Sequence, residues 1–177
     1  MRERLIMIFL VLIMAALGFS VFEKEQLKRH GDVVLLELAP VDPRSLIQGD
    51  YMRLRYRLNA TKAFREMVKD HADQELKYII VKVDENRVAQ LARPDRGEPL
   101  SRDERRLRVQ KRKNYKVVPD SFLFQEGHAE HYDEARYGVF RVEESGKNLL
   151  VDLADQEYQV IDPSSLKGSE KSGTTRP

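Results

Sequence analysis

The chain contains no cysteine. That excludes disulfides, thiol nucleophiles and cysteine-ligated metals, and it leaves the compartment open, because a disulfide-free chain suits any of them. Catalytic signatures are missing as well: no G-x-S-x-G, no G-x-x-x-x-G-K-[ST] and no H-E-x-x-H occurs. Charge imbalance is also lacking. The formal net charge is +2, and beyond residue 22 there are 29 basic against 28 acidic side chains. Surfaces that bind nucleic acid are usually strongly basic, so nucleic acid is not an expected partner.

What the chain does have is one long apolar run. Leu5 to Phe22 carries no charge in 18 residues. At ~1.5 Å per residue, about 18 to 20 apolar residues cross the hydrocarbon core of a bilayer. Three readings compete: a transmembrane anchor, a cleaved signal peptide, and a buried core helix. Arg2 and Arg4 precede the run as a signal's charged start would, but the run exceeds the ~7–15 residues of a usual signal core. The anchor is the preferred reading, in contact with membrane lipid through residues 5–22. Arg2 and Arg4 before the run are balanced by Lys24, Lys28 and Arg29 after it, so orientation rests on the short tail and the long following domain, which favour N-in. The expected divisions are a cytoplasmic tip at 1–4, the anchor at 5–22, a juxtamembrane linker at 23–32, a β-rich domain at 33–163 and a disordered tail at 164–177.

Past the anchor, "EKEQLKR" extends it as a short polar helix that Gly31-Asp32 ends. Strands then dominate. "VVLLEL" (33–38) reads as a strand apolar on both faces. "QGDYMRLRY" opens a strand from Tyr51 to Leu58, with Met52, Leu54, Tyr56 and Leu58 on one side and Tyr51, Arg53, Arg55 and Arg57 on the other. The arginines are expected to pair with acids on neighbouring strands, such as Glu37 and Glu143. "NATKAFREMVKDH" spaces Phe64, Met67 and Val68 as a short helix, with Thr61 as its cap. "LKYIIVKVDENRVAQLARP" and "VFRVEESGKNLLVDL" read as hairpins. "RRLRVQKRKN" alternates as a strand, which outweighs a helical capping box at Ser101 and Glu104. "FLFQ" is a short strand, "EGHAEHYDEARYG" a short helix, and "EYQVIDPSSL" a last strand. The fold class is therefore mainly β: an antiparallel barrel or sandwich with one or two short helices. "VDPRSL" and "IDPSSL" echo one another, which reads as shared turn chemistry rather than a repeat.

Three clusters carry potential chemistry. His128 and His131, with Glu126 and Glu130 beside them, are a weak candidate for a divalent metal or a pH sensor; the bland alternative is surface histidines bordering a turn. No cofactor is expected. Ser45 before Gly49-Asp50 invites comparison with Ser-Lys peptidases over a few residues only. Between Arg93 and Lys116 lie ten Lys/Arg and four Asp/Glu. This stretch is either a contact for anionic headgroups or, preferably, a solvated strand face.

At "GDYMRLRY" the sequence resembles the bacterial GDYXXLXY family: Gly49, Asp50, Tyr51, Leu54 and Tyr56 fit the signature. "LELAPVDPRSLIQ" and "FQEGHAEHYDEARYGVFRV" are similar to the same family, so the resemblance runs from about Val33 to Leu153. It implies a small protein with one N-terminal membrane segment, often encoded beside a multi-spanning membrane protein, and it implies no activity. The expected setting is the inner membrane of a Gram-negative cell, with the bulk of the chain periplasmic. The expected role is a non-enzymatic accessory domain for a polytopic membrane partner. The alternative is a ligand-binding or hydrolytic site around Asp42, Arg44, Asp50 and Tyr51, with Glu126 and Arg136. Tyr132 and Tyr137 belong to the same second segment as Glu126 and Arg136.

Overall fold

The structure is a computed structural model and describes residues 2–39, 51–71, 76–111, 114–125 and 128–162. Asp42, Arg44, Ser45, Gly49, Asp50 and Glu126, the first copy of the Asp-Pro-x-Ser echo, the second copy beyond Asp162, and the tail lie outside the described residues.

Helix α1 (Arg2–His30) contains the apolar run and continues unbroken through the polar residues after it. It is long and apolar enough to cross a membrane, and none of its apolar window is buried. Ile6 to Met14 are each more than half exposed. A core helix would bury these side chains, so that reading is set aside. Gly31 ends the helix by close approach: its N–H donates to the Leu27 carbonyl at 2.9 Å, and a Cβ there would sit 2.6 Å from the same oxygen.

The chain then enters β1 (Asp32–Glu37), which pairs antiparallel with β8 (Tyr137–Val142), itself paired with β9 (Asn148–Ala154). A second sheet has the order β4-β3-β5-β6, built from β3 (Tyr78–Val83), β4 (Ala89–Pro94), β5 (Glu104–Lys111) and β6 (Tyr115–Val117). Leu35 joins the two sheets through a parallel bridge to Val88, with its N–H on the Arg87 carbonyl at 2.8 Å. The sheets thus curl around one interior. The short pair β2 (Tyr51–Arg53) and β7 (Ser121–Leu123), with helices α2 (Arg57–Ala60) and α3 (Lys62–Asp70), covers the opening.

Strand periodicity decides what fills that interior. Val34 and Leu36 of β1, Phe140 and Val142 of β8, Ile79 and Val81 of β3, and Leu107 and Val109 of β5 all face inward and are buried. Each such side chain contributes about 1.5–3 kcal/mol by leaving water. Helix α3 adds Phe64 and Met67, one turn apart, and Thr61 caps it by accepting from the Phe64 N–H at 3.2 Å. The continuous apolar run of β1 has a separate cause. Its other face holds Leu35, packed with Val139 and Ala154 in a smaller cluster on the outside of the three-stranded sheet.

Two expectations change. The strand expected over Tyr51–Leu58 ends at Arg53; Tyr56 makes only a single bridge to Leu38, and α2 begins at Arg57. The last strand is replaced by a turn organised by Asp155, whose carboxylate accepts from the N–H groups of Glu157 and Gln159 at 2.9 Å each. Among the described residues, one bridge of it, Ala154 to Val160, survives. The polar helix expected after the anchor is present and runs to His30 within the 23–32 linker. Ser101 and Glu104 do bond reciprocally (Glu104 N–H to Ser101 O at 3.0 Å, Ser101 N–H to Glu104 Oε2 at 3.1 Å), but they lead into a strand, as the alternation implies.

Candidate functional site

The signature residues divide into two groups by what they touch. Tyr56 is 1% exposed. Its ring meets Phe140 edge-on at 5.5 Å, and its hydroxyl donates to the Pro119 carbonyl at 2.6 Å. Burial pushes this phenol far above its ordinary value, and the charge of Asp120 adds to the effect. The group therefore stays protonated and acts as a fixed donor. Leu54 is also buried, and its N–H donates to the Asp120 carbonyl at 2.9 Å. Both residues tie the signature to the turn between β6 and β7.

Tyr51 differs. It is half-buried and lines an open groove of about 720 Å³ with Arg53, Arg55, Asn59, Tyr115, Lys116 and Asp120. The groove exists because β2 and the 114–121 segment lie side by side over the buried Leu54 and Tyr56. Lys116 pairs with Asp120 across it. Arg53 and Arg55 are exposed and form no ion pair among the described residues. Arg57, by contrast, is held by Glu37 at 2.5 Å. The expected arginine–acid ladder is therefore one pair long. Glu143 is occupied by the Ser145 hydroxyl at 2.7 Å instead. Guanidinium does not exchange protons near neutral pH, so this groove suits anion binding better than acid–base chemistry.

The second signature segment meets the first through packing. Tyr132, on a 3-10 turn (Ala129–Tyr132), is buried against Phe122 at 5.2 Å and Phe124 at 5.6 Å. Burial raises its phenol above the ordinary range, with Asp152 and Asp162 adding to it. Leu38 links the two segments: it bridges Tyr56, and its N–H takes the Arg136 carbonyl at 2.8 Å. The Arg136 side chain is exposed, and the backbone N–H of Arg136 donates to the Ala154 carbonyl at 2.8 Å. Tyr137 stacks against Tyr158 at 5.1 Å, and burial, then the Tyr158 bond, raises its phenol. Tyr132, Arg136 and Tyr137 therefore do not line the Tyr51 groove.

His128 and His131 approach edge-to-face at 5.5 Å. Among the described residues, no three His, Asp or Glu gather as metal ligands would. Part of the basic stretch that starts at Arg93 is spent internally. Arg93 grips Glu104 with two bonds of 3.0–3.1 Å, Arg105 reaches Asp32 at 2.7 Å, and Arg106 reaches Asp95 at 2.7 Å. Sequence reading missed Tyr115, Lys116 and Asp120 as groove residues. Their only signal was a basic run some sixty residues from Tyr51.

Fold and site together define a strand-rich domain carried on an N-terminal helix fit to span a membrane. The profile of the family described as GDYXXLXY protein matches residues 13–153, and the chain belongs to that family. No curated protein and no solved structure gives a significant match.

Proposed function

We propose that this is a membrane-anchored accessory domain, N-in, whose sheet domain sits in the periplasm and docks on a multi-spanning membrane protein without catalysing a reaction. The observation that supports it most is the seam between helix and sheets. Arg141 donates to the Gly31 carbonyl at 2.9 Å, Arg105 binds Asp32 at 2.7 Å, and Lys147 pairs with Glu23. A domain fastened in this way is held at a set height above the bilayer, as docking on a membrane partner requires. The fully exposed apolar helix supports lipid or helix contact along its length.

Affinity purification of the full chain from mild detergent tests the reading. A stoichiometric multi-spanning partner is expected, and recovery of free monomer alone would refute it. The absence of native cysteine gives a clean orientation test. In intact cells, Ser145→Cys in the exposed β8–β9 turn should react with a reagent confined to the periplasm. Labelling only after lysis would overturn the N-in arrangement.

A further inference from the structure

We propose that the sheet domain binds an extended acidic polypeptide segment along a basic track that crosses Tyr115. The Tyr51 groove supplies one half, with Arg53, Arg55 and Lys116 against Asp120 alone among the described residues. The other half is an adjoining cleft of about 410 Å³. Its charged lining is Lys77, Arg108 and Lys111, with no acid among the described residues. Tyr115 lines both. It is 6% exposed, its hydroxyl accepts from the Leu76 N–H at 3.2 Å, and the Lys111 ammonium sits 5.6 Å from its ring centre. The ridge between the clefts is thus fixed rather than mobile.

Two basic clefts in series on either side of an aromatic ridge match a chain that offers carboxylates at intervals. Arg53 and Arg55 present planar forks suited to carboxylates. A lone phosphate would engage one cleft only. Position disfavours a lipid surface as the occupant of the first groove. Ala39 lines the first groove, and β1 with the two residues after it carries the chain there from Gly31 over about 26 Å at ~3.3 Å per residue. The first groove therefore lies a full strand length from where the helix leaves the domain; the second cleft comes nearer to it, because Tyr78 in its lining packs on Gly146, beside the Lys147 that pairs with Glu23. This deepens the docking reading by giving the chemistry of the partner's segment, and it depends on that reading only for which protein carries the acids.

The experiment uses the full chain in discs of zwitterionic lipid and a fluorescein-labelled glutamate oligomer of about eight residues, roughly 27 Å when extended. Anisotropy reads the affinity. R53E/R55E and R108E/K111E should each weaken binding by about tenfold or more. R96E/R102E, exposed arginines off the track, should stay within about twofold. R53Q/R55Q, with its unfolding midpoint unchanged, guards against a folding artefact and should also weaken binding. Equal losses in all three charge reversals would mean diffuse attraction, and loss from one cleft only would mean a small-anion site. Abolition of binding in anionic-lipid discs would make the membrane surface the occupant. Each of these outcomes overturns the proposal. Peptide affinity is read without any partner present, so failed co-purification leaves this result standing, and the converse also holds.

Discussion

Replacing Tyr56 by phenylalanine removes one oxygen and nothing else. The ring stays buried, and its edge contact with Phe140 at 5.5 Å survives. What goes is the 2.6 Å bond to the Pro119 carbonyl. A neutral hydrogen bond contributes about 1 kcal/mol net, and a carbonyl left without its donor costs about 1–3 kcal/mol when fully dry. Pro119 is only half-buried, so water reaches its oxygen and the loss should be about 1–2 kcal/mol. With a urea slope of roughly 2 kcal/mol per molar, the midpoint should fall by about 0.5–1 M. The control is Tyr51→Phe. Tyr51 donates no hydrogen bond among the described residues, so its change should stay within about 0.5 kcal/mol. The chain has no tryptophan, and α1 in a micelle would dominate far-ultraviolet signals. Pulse proteolysis in urea, on the full chain in mild detergent, reads the sheet domain directly. An unchanged midpoint for Tyr56→Phe, or an equal fall for Tyr51→Phe, would refute the division of the signature into a structural tyrosine and a groove tyrosine.

Two further outcomes follow from the geometry. Gly146→Ala should destabilise by about 1–3 kcal/mol in the same assay, because φ is +87° and the new methyl would sit 2.7 Å from the Tyr78 ring. The Arg93 bond, then the Ser101 backbone, holds the Glu104 carboxyl below its ordinary 4.5. Its contribution to stability is therefore complete above that value and is lost as pH falls through the lowered one. Unfolding midpoints measured from neutral to acid pH should drop less steeply below 4.5 in Glu104→Gln than in the parent, and identical slopes would count against the pairing.

The sequence was most legible where one face of an element is buried and its partner is near in the chain. The β3–β4 and β8–β9 hairpins and the Thr61-capped α3 declare themselves through spacing and turn residues alone. The segment from Tyr51 is a subtler case. Met52, Leu54, Tyr56 and Leu58 are all buried, as their alternation implies, yet the ladder stops at Arg53. Alternation reports which way side chains face, and α2 keeps Leu58 inward without a strand. β6 was invisible because three residues inside "KRKNYKVV" carry no pattern of their own. Its identity comes from pairing Val117 with Val109. For the same reason the groove could not be read locally: Tyr51 and Lys116 meet only after two sheets have closed.

The uninterrupted helix has a geometric consequence. Because α1 is tied to the sheets at Glu23, and the chain just past its end at Gly31 and Asp32, its rotation about its own axis sets the compass bearing of the sheet domain. Each residue along the helix turns that bearing by about 100° and changes the height by about 1.5 Å. A neighbour that grips one side of α1 within the bilayer would thereby choose which direction Arg53 and Arg55 point outside it. Residue count between Phe22 and Gly31 is in this sense an angular coordinate, set by the arithmetic of the helix.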